Sequence, residues 1–257
     1  MILVAILMGI TPCLAADQAS SPKDLIYITE QYPPYNYQED GKPLQGISVD
    51  LLEMVWERMG VDLNRSVIIL LPWPEGYHRA LNETNTVYFS LSRVPQREQL
   101  FKWAGPIGPV KSVLLVRSDR NINITTQEDL KKYKIGVIND TSSMLLLLDM
   151  GVKKEDLVLA QTAKPLIEML ENGSIDAWAR GDRAGMWEIN ELGRNASDYK
   201  TAYTLGQSDH YYAFNKETPD SLVQSFQEAI DYLKGNKDTN GVSDYEKILS
   251  RYESPML

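Results

Sequence analysis

Cysteine is almost absent from the chain, and so are the patterns that usually mark enzymes. The single cysteine is Cys13, and the two histidines, His78 and His210, are expected in surface or loop positions. Zinc sites need clusters of cysteine or histidine ligands, so no metal site is predicted. The sequence also contains neither a G-x-S-x-G nucleophile motif nor a phosphate-binding loop. We therefore predict no metal, no cofactor and no enzyme activity.

Basic residues are fewer than acidic residues. The 26 Lys and Arg residues face 35 Asp and Glu residues, which gives a formal net charge of -9. A chain of this sign is a poor partner for a phosphate backbone, so we predict no nucleic-acid binding. The 43% apolar and 24% charged contents are ordinary for a globular protein. At 257 residues the chain can form one large domain or two small ones.

Long apolar runs are missing after the first residues. Residues 1–16 are mostly apolar and end in the small residues Ala15 and Ala16, which is typical of a secretory signal peptide, although no basic residue precedes the run. The segment is too short to span a bilayer comfortably. Cys13 follows Pro12, which suits lipid attachment poorly, so cleavage near Ala15 or Ala16 is preferred. We predict a secreted, periplasmic or otherwise extracytoplasmic protein and leave a membrane-tethered form open.

The rest of the chain alternates between strand and helix patterns. Apolar runs predict strands at residues 25–29, 67–71 and 86–91. Between the first two, residues 46–60 have the apolar spacing of an amphipathic helix that ends at Gly60. Such alternation favours an α/β fold with parallel strand pairing.

A second unit of the same kind follows the first. Its predicted strands are residues 134–139, 156–160 and 174–179, with helices between them. Two further strands, residues 111–117 and 211–215, could leave the first unit and return to it. Two α/β units joined by two strands predict two lobes with a ligand-binding cleft between them.

Several short motifs occur in a characteristic order. They are Tyr32-Pro-Pro-Tyr35, Gly46-Ile-Ser-Val-Asp-Leu-Leu52, Arg93-Val-Pro-Gln-Arg-Glu-Gln-Leu-Phe-Lys-Trp103, Gly173-Ser-Ile-Asp-Ala177 and Asn215-Lys-Glu-Thr-Pro219. In this order and spacing, over residues 25–252, the chain resembles the extracytoplasmic solute-binding proteins of amino-acid-type (family 3) ABC transporters, which have the periplasmic binding protein type II fold.

The resemblance implies a fold and a way of working. The expected fold is an α/β clamshell of two lobes, each a mainly parallel sheet flanked by helices, with crossover strands near residues 112–116 and 211–215 as the hinge. Lobe 1 would comprise residues 23–113 plus 213–257, and lobe 2 residues 114–212. A monomer would bind a small carboxylate-bearing solute, an amino acid or related organic acid, and present it to the membrane permease of an ABC importer.

Residues 88–107 carry the main candidate for ligand binding. The segment begins as a strand, turns at a proline and places Arg97 just after the turn. A guanidinium fork matches the two oxygens of a carboxylate, and Ser90 and Ser92 on one strand face could add hydroxyls. The resemblance implies that this arginine binds the ligand carboxylate. The alternative is a surface salt bridge with Glu98 or another acid.

A second candidate opens the helix that follows residue 140. Free N–H groups at a helix start bind anions, and Thr141 and Ser142 add hydroxyls. The resemblance matches these residues to the second-lobe loop that meets the carboxylate. The family usually has glycine where this chain has Asp140, whose carboxylate could instead cap the helix.

The acid that would bind an α-amine is not in its usual place. The family's acid corresponds to Gly181, whereas Asp182 lies one position further and Arg180 one position earlier. Either the loop is shifted and Asp182 binds an amine, or the ligand lacks an α-amine and Arg180 favours a dicarboxylate or other acid. Both readings remain open.

Aromatic residues supply the last predicted part of the site. Tyr35, Trp73 and Tyr77 would form a wall that stacks on the ligand, with packing inside the first lobe as the alternative.

Two other functions are compatible with the same fold. One is a ligand-sensing receptor lobe. The other, least favoured, is a dehydratase-like enzyme, which would need a cleft acid with a raised pKa, and Asp182 or Glu30 are the candidates.

Overall fold

Most apolar runs of the sequence become strands of one sheet in the computed structural model, which describes residues 19–252. The predicted leader, residues 1–16 with Cys13, lies outside the described residues. The eight strands are β1 (Ile26–Thr29), β2 (Ile69–Leu70), β3 (Thr86–Ser92), β4 (Phe101–Arg117), β5 (Ile135–Ile138), β6 (Leu157–Ala160), β7 (Ala177–Gly181) and β8 (Tyr199–Asn215). Their order in the sheet is β2-β1-β3-β8-β4-β7-β5-β6.

Seven α-helices flank this sheet in the described part of the chain. They are α1 (Ile47–Arg58), α2 (Trp73–Asn82), α3 (Ser142–Asp149), α4 (Ala163–Asn172), α5 (Asp182–Glu191), α6 (Asp220–Gly235) and α7 (Asp244–Tyr252). No helix within residues 19–252 combines the length and apolar character needed to cross a membrane.

The first of these helices shows how the apolar pattern becomes a core. The predicted apolar stripe of α1 is buried at Val49, Leu52, Val55 and Trp56, which are each 0% exposed, and partly buried at Met59, which follows the helix. Gly60 follows with φ 70°, a left-handed conformation that glycine adopts at little cost and that ends the helix. The predicted amphipathic helix is therefore confirmed.

Strand pairing divides the sheet into two lobes. In the first lobe β1 pairs in parallel with both β2 and β3, and in the second lobe β5 pairs in parallel with both β6 and β7. Helices α1, α2, α6 and α7 pack in the first lobe, and α3, α4 and α5 in the second. The predicted α/β fold, with mainly parallel pairing in each lobe, is confirmed.

Strands β4 and β8 run through both lobes. They pair antiparallel from the Phe101–Asn215 pair to the Arg117–Tyr199 pair. Residues 210–214 of β8 also pair with β3 in the first lobe. Residues 112–115 of β4 also pair with β7 in the second lobe.

The crossing between the lobes lies between these two side pairings. There Pro109 pairs with Asp209, and Val110 pairs with Ser208. The predicted hinge segments flank this crossing. Residues 112–116 lie mostly in the part of β4 that pairs with β7, and residues 211–215 lie mostly in the part of β8 that pairs with β3. The lobe boundaries proposed from the sequence stay a prediction.

The parallel strands of both lobes end beside each other. Their last residues are Thr29, Leu70, Ser92, Ile138, Ala160 and Gly181. In open α/β sheets, ligands bind in the crevice outside the carboxyl ends of the strands. This edge is therefore the place to look for a site.

Candidate functional site

A pocket of about 380 Å³ lies at these strand ends, between the two lobes. Its volume is typical of small-molecule sites. The first lobe lines it with Glu30, Gln31, Leu70, Leu71, Pro72 and Trp73. The second lobe lines it with Ile138, Gln161, Thr162, Ala163, Arg180 and Glu188. Both lobes thus contribute charged side chains to one small space.

Arg97 lies beside this pocket, on the short turn Pro95–Arg97 that follows β3. Its side chain is buried, with 2% exposed. Nη1 donates to the Ser92 carbonyl at 3.3 Å, and Nη2 donates to the Asp140 carbonyl of the second lobe at 2.7 Å. Burial lowers the pKa of Arg97, although a guanidinium remains charged in proteins. Protein carbonyls therefore already occupy donors that a carboxylate would use.

Two aromatic rings cover the same guanidinium. The rings of Trp73 and Tyr77 stack with centroids 4.8 Å apart, and the Arg97 Cζ lies 5.1 and 5.2 Å from their centroids. The indole Nε1 of Trp73 donates to the Asn139 carbonyl at 3.0 Å. Trp73 lines the pocket, whereas Tyr77 packs against Trp73 and Arg97.

The two serines of β3 have partners inside the protein. Ser90 has φ 62° at an irregularity in the pairing of β3 with β8, and its hydroxyl is hydrogen-bonded to that of Ser48 at 2.6 Å. Ser92 is 4% exposed, and its backbone carbonyl accepts a hydrogen bond from Arg97. Neither serine belongs to the pocket wall.

The start of α3 faces the first lobe through residues 139 and 140. Thr141 is the N-cap residue, but its hydroxyl donates to the Ile138 carbonyl at 2.8 Å, and Ser142 begins the helix. Asp140 has φ 58°, a left-handed conformation that aspartate tolerates. Its carboxylate accepts from the Asn139 side chain at 2.7 Å, so this pairing replaces the alternative expectation that it caps the helix.

Arg180 and Glu188 form a buried ion pair in the wall of the pocket. Arg180 on β7 donates to both Glu188 oxygens on α5, at 2.9 and 2.7 Å. Their side chains are 6% and 14% exposed. Although burial opposes the charged form, the Glu188 carboxylate raises the pKa of Arg180. The Arg180 Cζ also lies 4.7 Å from the ring centroid of Tyr32.

Glu30 follows β1 and is the pocket's other carboxylate. It is partly exposed and forms no salt bridge within the described residues. Burial raises the pKa of Glu30 to about 7; the Arg180 charge opposes this rise and the Glu188 charge adds to it. The pocket therefore contains two carboxylates and one guanidinium, and one carboxylate is poised to change charge near neutral pH.

The profile of the family described as bacterial extracellular solute-binding proteins, family 3, matches residues 25–244. The chain belongs to this family. A comparison with curated proteins finds no match.

Solved structures show the same fold as this family 3 protein. A histidine kinase sensor domain with similarity to periplasmic binding proteins has a TM-score of 0.75 and 22% identity, covering 90% of this chain and 96% of that one. An ancestral arginine-binding protein bound to arginine has a TM-score of 0.71 and 18% identity, covering 90% and 98%. A substrate-binding protein of an ABC uptake transporter from Streptococcus pneumoniae, with bound histidine, has a TM-score of 0.73 and 18% identity, covering 90% and 93%.

At these identities the likeness establishes the fold, the periplasmic binding protein type II clamshell. The family consists of solute-binding proteins, and two of these structures, those with bound arginine and histidine, are binding proteins. Family 3 proteins are extracellular, so an extracytoplasmic location follows from membership.

Within the family 3 fold, Gly181 has no room for a side chain. A Cβ there would come 2.0 Å from the Tyr32 hydroxyl oxygen of the first lobe. Asp182 begins α5 and accepts from the Arg183 N–H at 2.8 Å. The Tyr32 hydroxyl therefore occupies the space that a side chain at position 181 would need, and Asp182 lies outside the pocket wall.

Tyr35 and His210 lie together against the crossing strands. The Tyr35 hydroxyl donates a short hydrogen bond to the Pro109 carbonyl, and its ring meets His210 edge-on at 4.5 Å. Tyr35 is not part of the pocket wall.

The expected surface position of His210 is wrong, since it is 2% exposed on β8. Burial, with Arg97 and Arg180 nearby, lowers its pKa to about 3. In residues 19–252 no group of three or more His, Cys, Asp or Glu residues is placed to hold a metal ion.

Several pocket residues were not predicted as ligand contacts from the sequence. They are Gln31, Leu70, Leu71, Pro72, Ile138, Gln161, Thr162, Ala163 and Glu188. Most follow directly on the ends of parallel strands, which is the signal that could have identified them. Glu188 carries a weaker signal, because it lies on the helix that follows Arg180.

Proposed function

We propose that this protein is an extracytoplasmic receptor that binds a small carboxylate-bearing solute, an amino acid or related organic acid, and delivers it to an ABC importer. The observation that carries the proposal is the pocket of about 380 Å³ between two lobes joined by two crossing strands. Such a pocket closes around a ligand when the lobes rotate about the crossing.

The carboxylate is the finer part of the proposal, and Arg97 supports it. Arg97 is charged, buried and close to the pocket, and its Nε has no hydrogen-bond partner within the described residues. A carboxylate would take the place that the Asp140 carbonyl holds at Nη2. Thr141 and Ser142, at the start of α3, would then lie beside the incoming anion.

Transport requires that the permease distinguish the loaded receptor from the empty one. A ligand that contacts both lobes changes how the lobes meet, and the loaded form then presents a surface that the empty form lacks. A monomer with one cleft is sufficient for this delivery.

A screen of solutes tests the proposal directly. Amino acids, dicarboxylates and aromatic acids are added to the purified protein, and the thermal unfolding midpoint is measured. A ligand at 100 times its dissociation constant should stabilise the fold by about 2.7 kcal/mol. Arg97→Ala should remove that stabilisation. Undiminished binding by this variant would refute the carboxylate contact, and a complete lack of stabilising solutes would refute the receptor.

A sensing role is the second candidate, because a histidine kinase sensor domain shares the fold over 90% of this chain. The two roles differ in what a gene deletion does to the host. Transport predicts that uptake of the identified solute falls. Sensing predicts that uptake continues while the transcriptional response to the solute is lost.

A further inference from the structure

Two side chains of the first lobe reach across the pocket to the second lobe. Trp73 Nε1 donates to the Asn139 carbonyl at 3.0 Å, and Arg97 Nη2 donates to the Asp140 carbonyl at 2.7 Å. The two acceptors are consecutive, and both precede α3. One short backbone segment thus satisfies two donors from the opposite lobe.

These contacts are sheltered from water. Trp73 and Arg97 are 6% and 2% exposed, and the guanidinium lies against the rings of Trp73 and Tyr77. Hydrogen bonds in such surroundings are stronger than hydrogen bonds in water. The contacts are therefore suited to hold the lobes together.

The backbone of Asp140 is shaped for this contact. Its φ of 58° is uncommon outside glycine. A residue that leaves this conformation re-aims the peptide plane, and with it the carbonyl that Arg97 binds. The conformation of one residue thereby controls one of the two interlobe hydrogen bonds.

We propose that the backbone carbonyls of Asn139 and Asp140 compete with the ligand for two hydrogen-bond donors, Trp73 Nε1 and Arg97 Nη2. With the pocket empty they occupy the Trp73 and Arg97 donors and favour the closed form. An entering solute displaces them and takes both donors with its anionic group. This assignment deepens the proposed function and rests on it, and it makes Trp73 a second hydrogen-bond donor for the solute.

The competition determines which solutes bind. A neutral amide oxygen forms a hydrogen bond with Arg97 that is no stronger than the one to the backbone carbonyl it replaces. A carboxylate forms charge-assisted hydrogen bonds, which are roughly twice as strong as neutral ones. The site therefore selects an anionic group over a neutral group of the same shape.

Closure of the empty protein is the first test. Spin labels are attached to the Glu75→Cys, Lys164→Cys double variant, at exposed positions near the starts of α2 and α4, with Cys13→Ser to remove the only other thiol. Label distances are then measured without ligand. Trp73→Phe keeps a ring on Tyr77 but loses the N–H, so its distances should lengthen or broaden.

The matched control is Trp103→Phe. The Trp103 indole donates to the Glu98 carbonyl within the first lobe at 3.3 Å, so its loss should leave the distances unchanged. The proposal is overturned if Trp73→Phe and Trp103→Phe give the same distances as the parent.

Asp140 gives a second pair of variants. Asp140→Gly and Asp140→Ala both lose the carboxylate, but glycine keeps the left-handed conformation and alanine disfavours it. The glycine variant should remain closed and the alanine variant should open. Equal distances in the two variants would contradict a role for the Asp140 carbonyl.

Binding supplies the last readout. Once a carboxylate solute is identified, its dissociation constant is compared with that of its neutral amide, and the acid should bind at least tenfold tighter. If no solute binds, the proposed function fails, whatever the label distances are. If the acid binds but the amide binds equally well, or the empty variants stay closed, only the competition is refuted.

Discussion

At the scale of single residues, Glu30 is a carboxylate in a place that disfavours its charge. Burial raises its pKa from an ordinary value of 4.5 to about 7. Below about pH 4.5 the group is protonated in both the folded and the unfolded chain, and it contributes no pH-dependent difference. Between pH 4.5 and about pH 7 the folded state binds more protons at Glu30 than the unfolded state does. The free energy of unfolding therefore falls as the pH rises through this range.

Glu30→Gln should therefore be more stable than the parent at pH 8 and lose that advantage toward pH 4.5. One pKa unit corresponds to about 1.4 kcal/mol, and Glu30 is partly exposed, so the gain at pH 8 should be on the order of 1–3 kcal/mol. Urea unfolding at several pH values measures it.

The control for Glu30 is Glu57→Gln on the exposed side of α1. This variant removes an exposed carboxylate outside the pocket, so its stability relative to the parent at the same pH values is the baseline for Glu30→Gln. If the two variants show the same pH dependence, the pocket does not raise the Glu30 pKa.

The sequence predicts the positions of only some of the residues in and around the pocket. Arg97 lies beside the pocket and Trp73 lines it, because a turn after β3 and the start of α2 fix their backbones locally. The occupation of Arg97 by the Asp140 carbonyl depends on how two lobes meet, and no local pattern encodes that contact. Burial of His210 is missed for the same reason.

At the scale of elements, one ion pair ties α5 to β7. Arg180 and Glu188 are both largely buried, so removing the acid leaves a buried guanidinium without its hydrogen-bonded carboxylate. Glu188→Ala should lower the free energy of unfolding by about 3 kcal/mol. Denaturant unfolding followed by tryptophan fluorescence measures the loss.

An exposed pair of the same chemistry provides the comparison. Arg79 also donates to both oxygens of Glu83, but the Glu83 side chain is 45% exposed. Glu83→Ala should cost less than about 1 kcal/mol, because water compensates the loss. Equal losses in the two variants would mean that the Arg180–Glu188 pair is not effectively buried.

The two long strands, β4 and β8, are longer than the strands that the sequence predicts. β4 begins at Phe101, but only residues 111–117 read as a strand, because Gly and Pro interrupt the earlier part. β8 likewise begins at Tyr199, well before the predicted residues 211–215. Pairing between the two strands, which are distant in sequence, stabilises both segments. The parallel strands were easier to predict because most of their residues belong to short apolar runs.

At the scale of the whole molecule, closure depends on a close approach between Gly181 and Tyr32. Gly181 ends β7 in the second lobe with φ -63° and ψ 135°, a conformation that alanine adopts without strain. The added Cβ would lie 2.0 Å from the Tyr32 hydroxyl oxygen. That ring is 8% exposed and packs against Arg180 and His210, so it has little space to move.

Gly181→Ala should therefore leave each lobe folded and prevent the lobes from closing fully. We expect longer distances between the spin labels at positions 75 and 164, with and without solute, and solute affinity about tenfold lower. That loss corresponds to about 1.4 kcal/mol of strain in the closed form. The free energy of unfolding without ligand should fall by no more than the free-energy preference of the empty protein for its closed form, because the open form accommodates the methyl group. Gly235→Ala, whose added Cβ meets no atom within 4 Å, should behave like the parent.

A second substitution separates this steric explanation from a general loss of stability. Tyr32→Phe removes the oxygen that the alanine Cβ would meet, and the next atom of the ring lies at 3.2 Å, which needs only a small shift. The Gly181→Ala, Tyr32→Phe double variant should therefore recover most of the closure and affinity that Gly181→Ala loses. If the losses of the two substitutions simply add, the two residues do not interact in the closed form, and closure is limited elsewhere. Recovery would show that the missing side chain at position 181 is what allows the two lobes to meet.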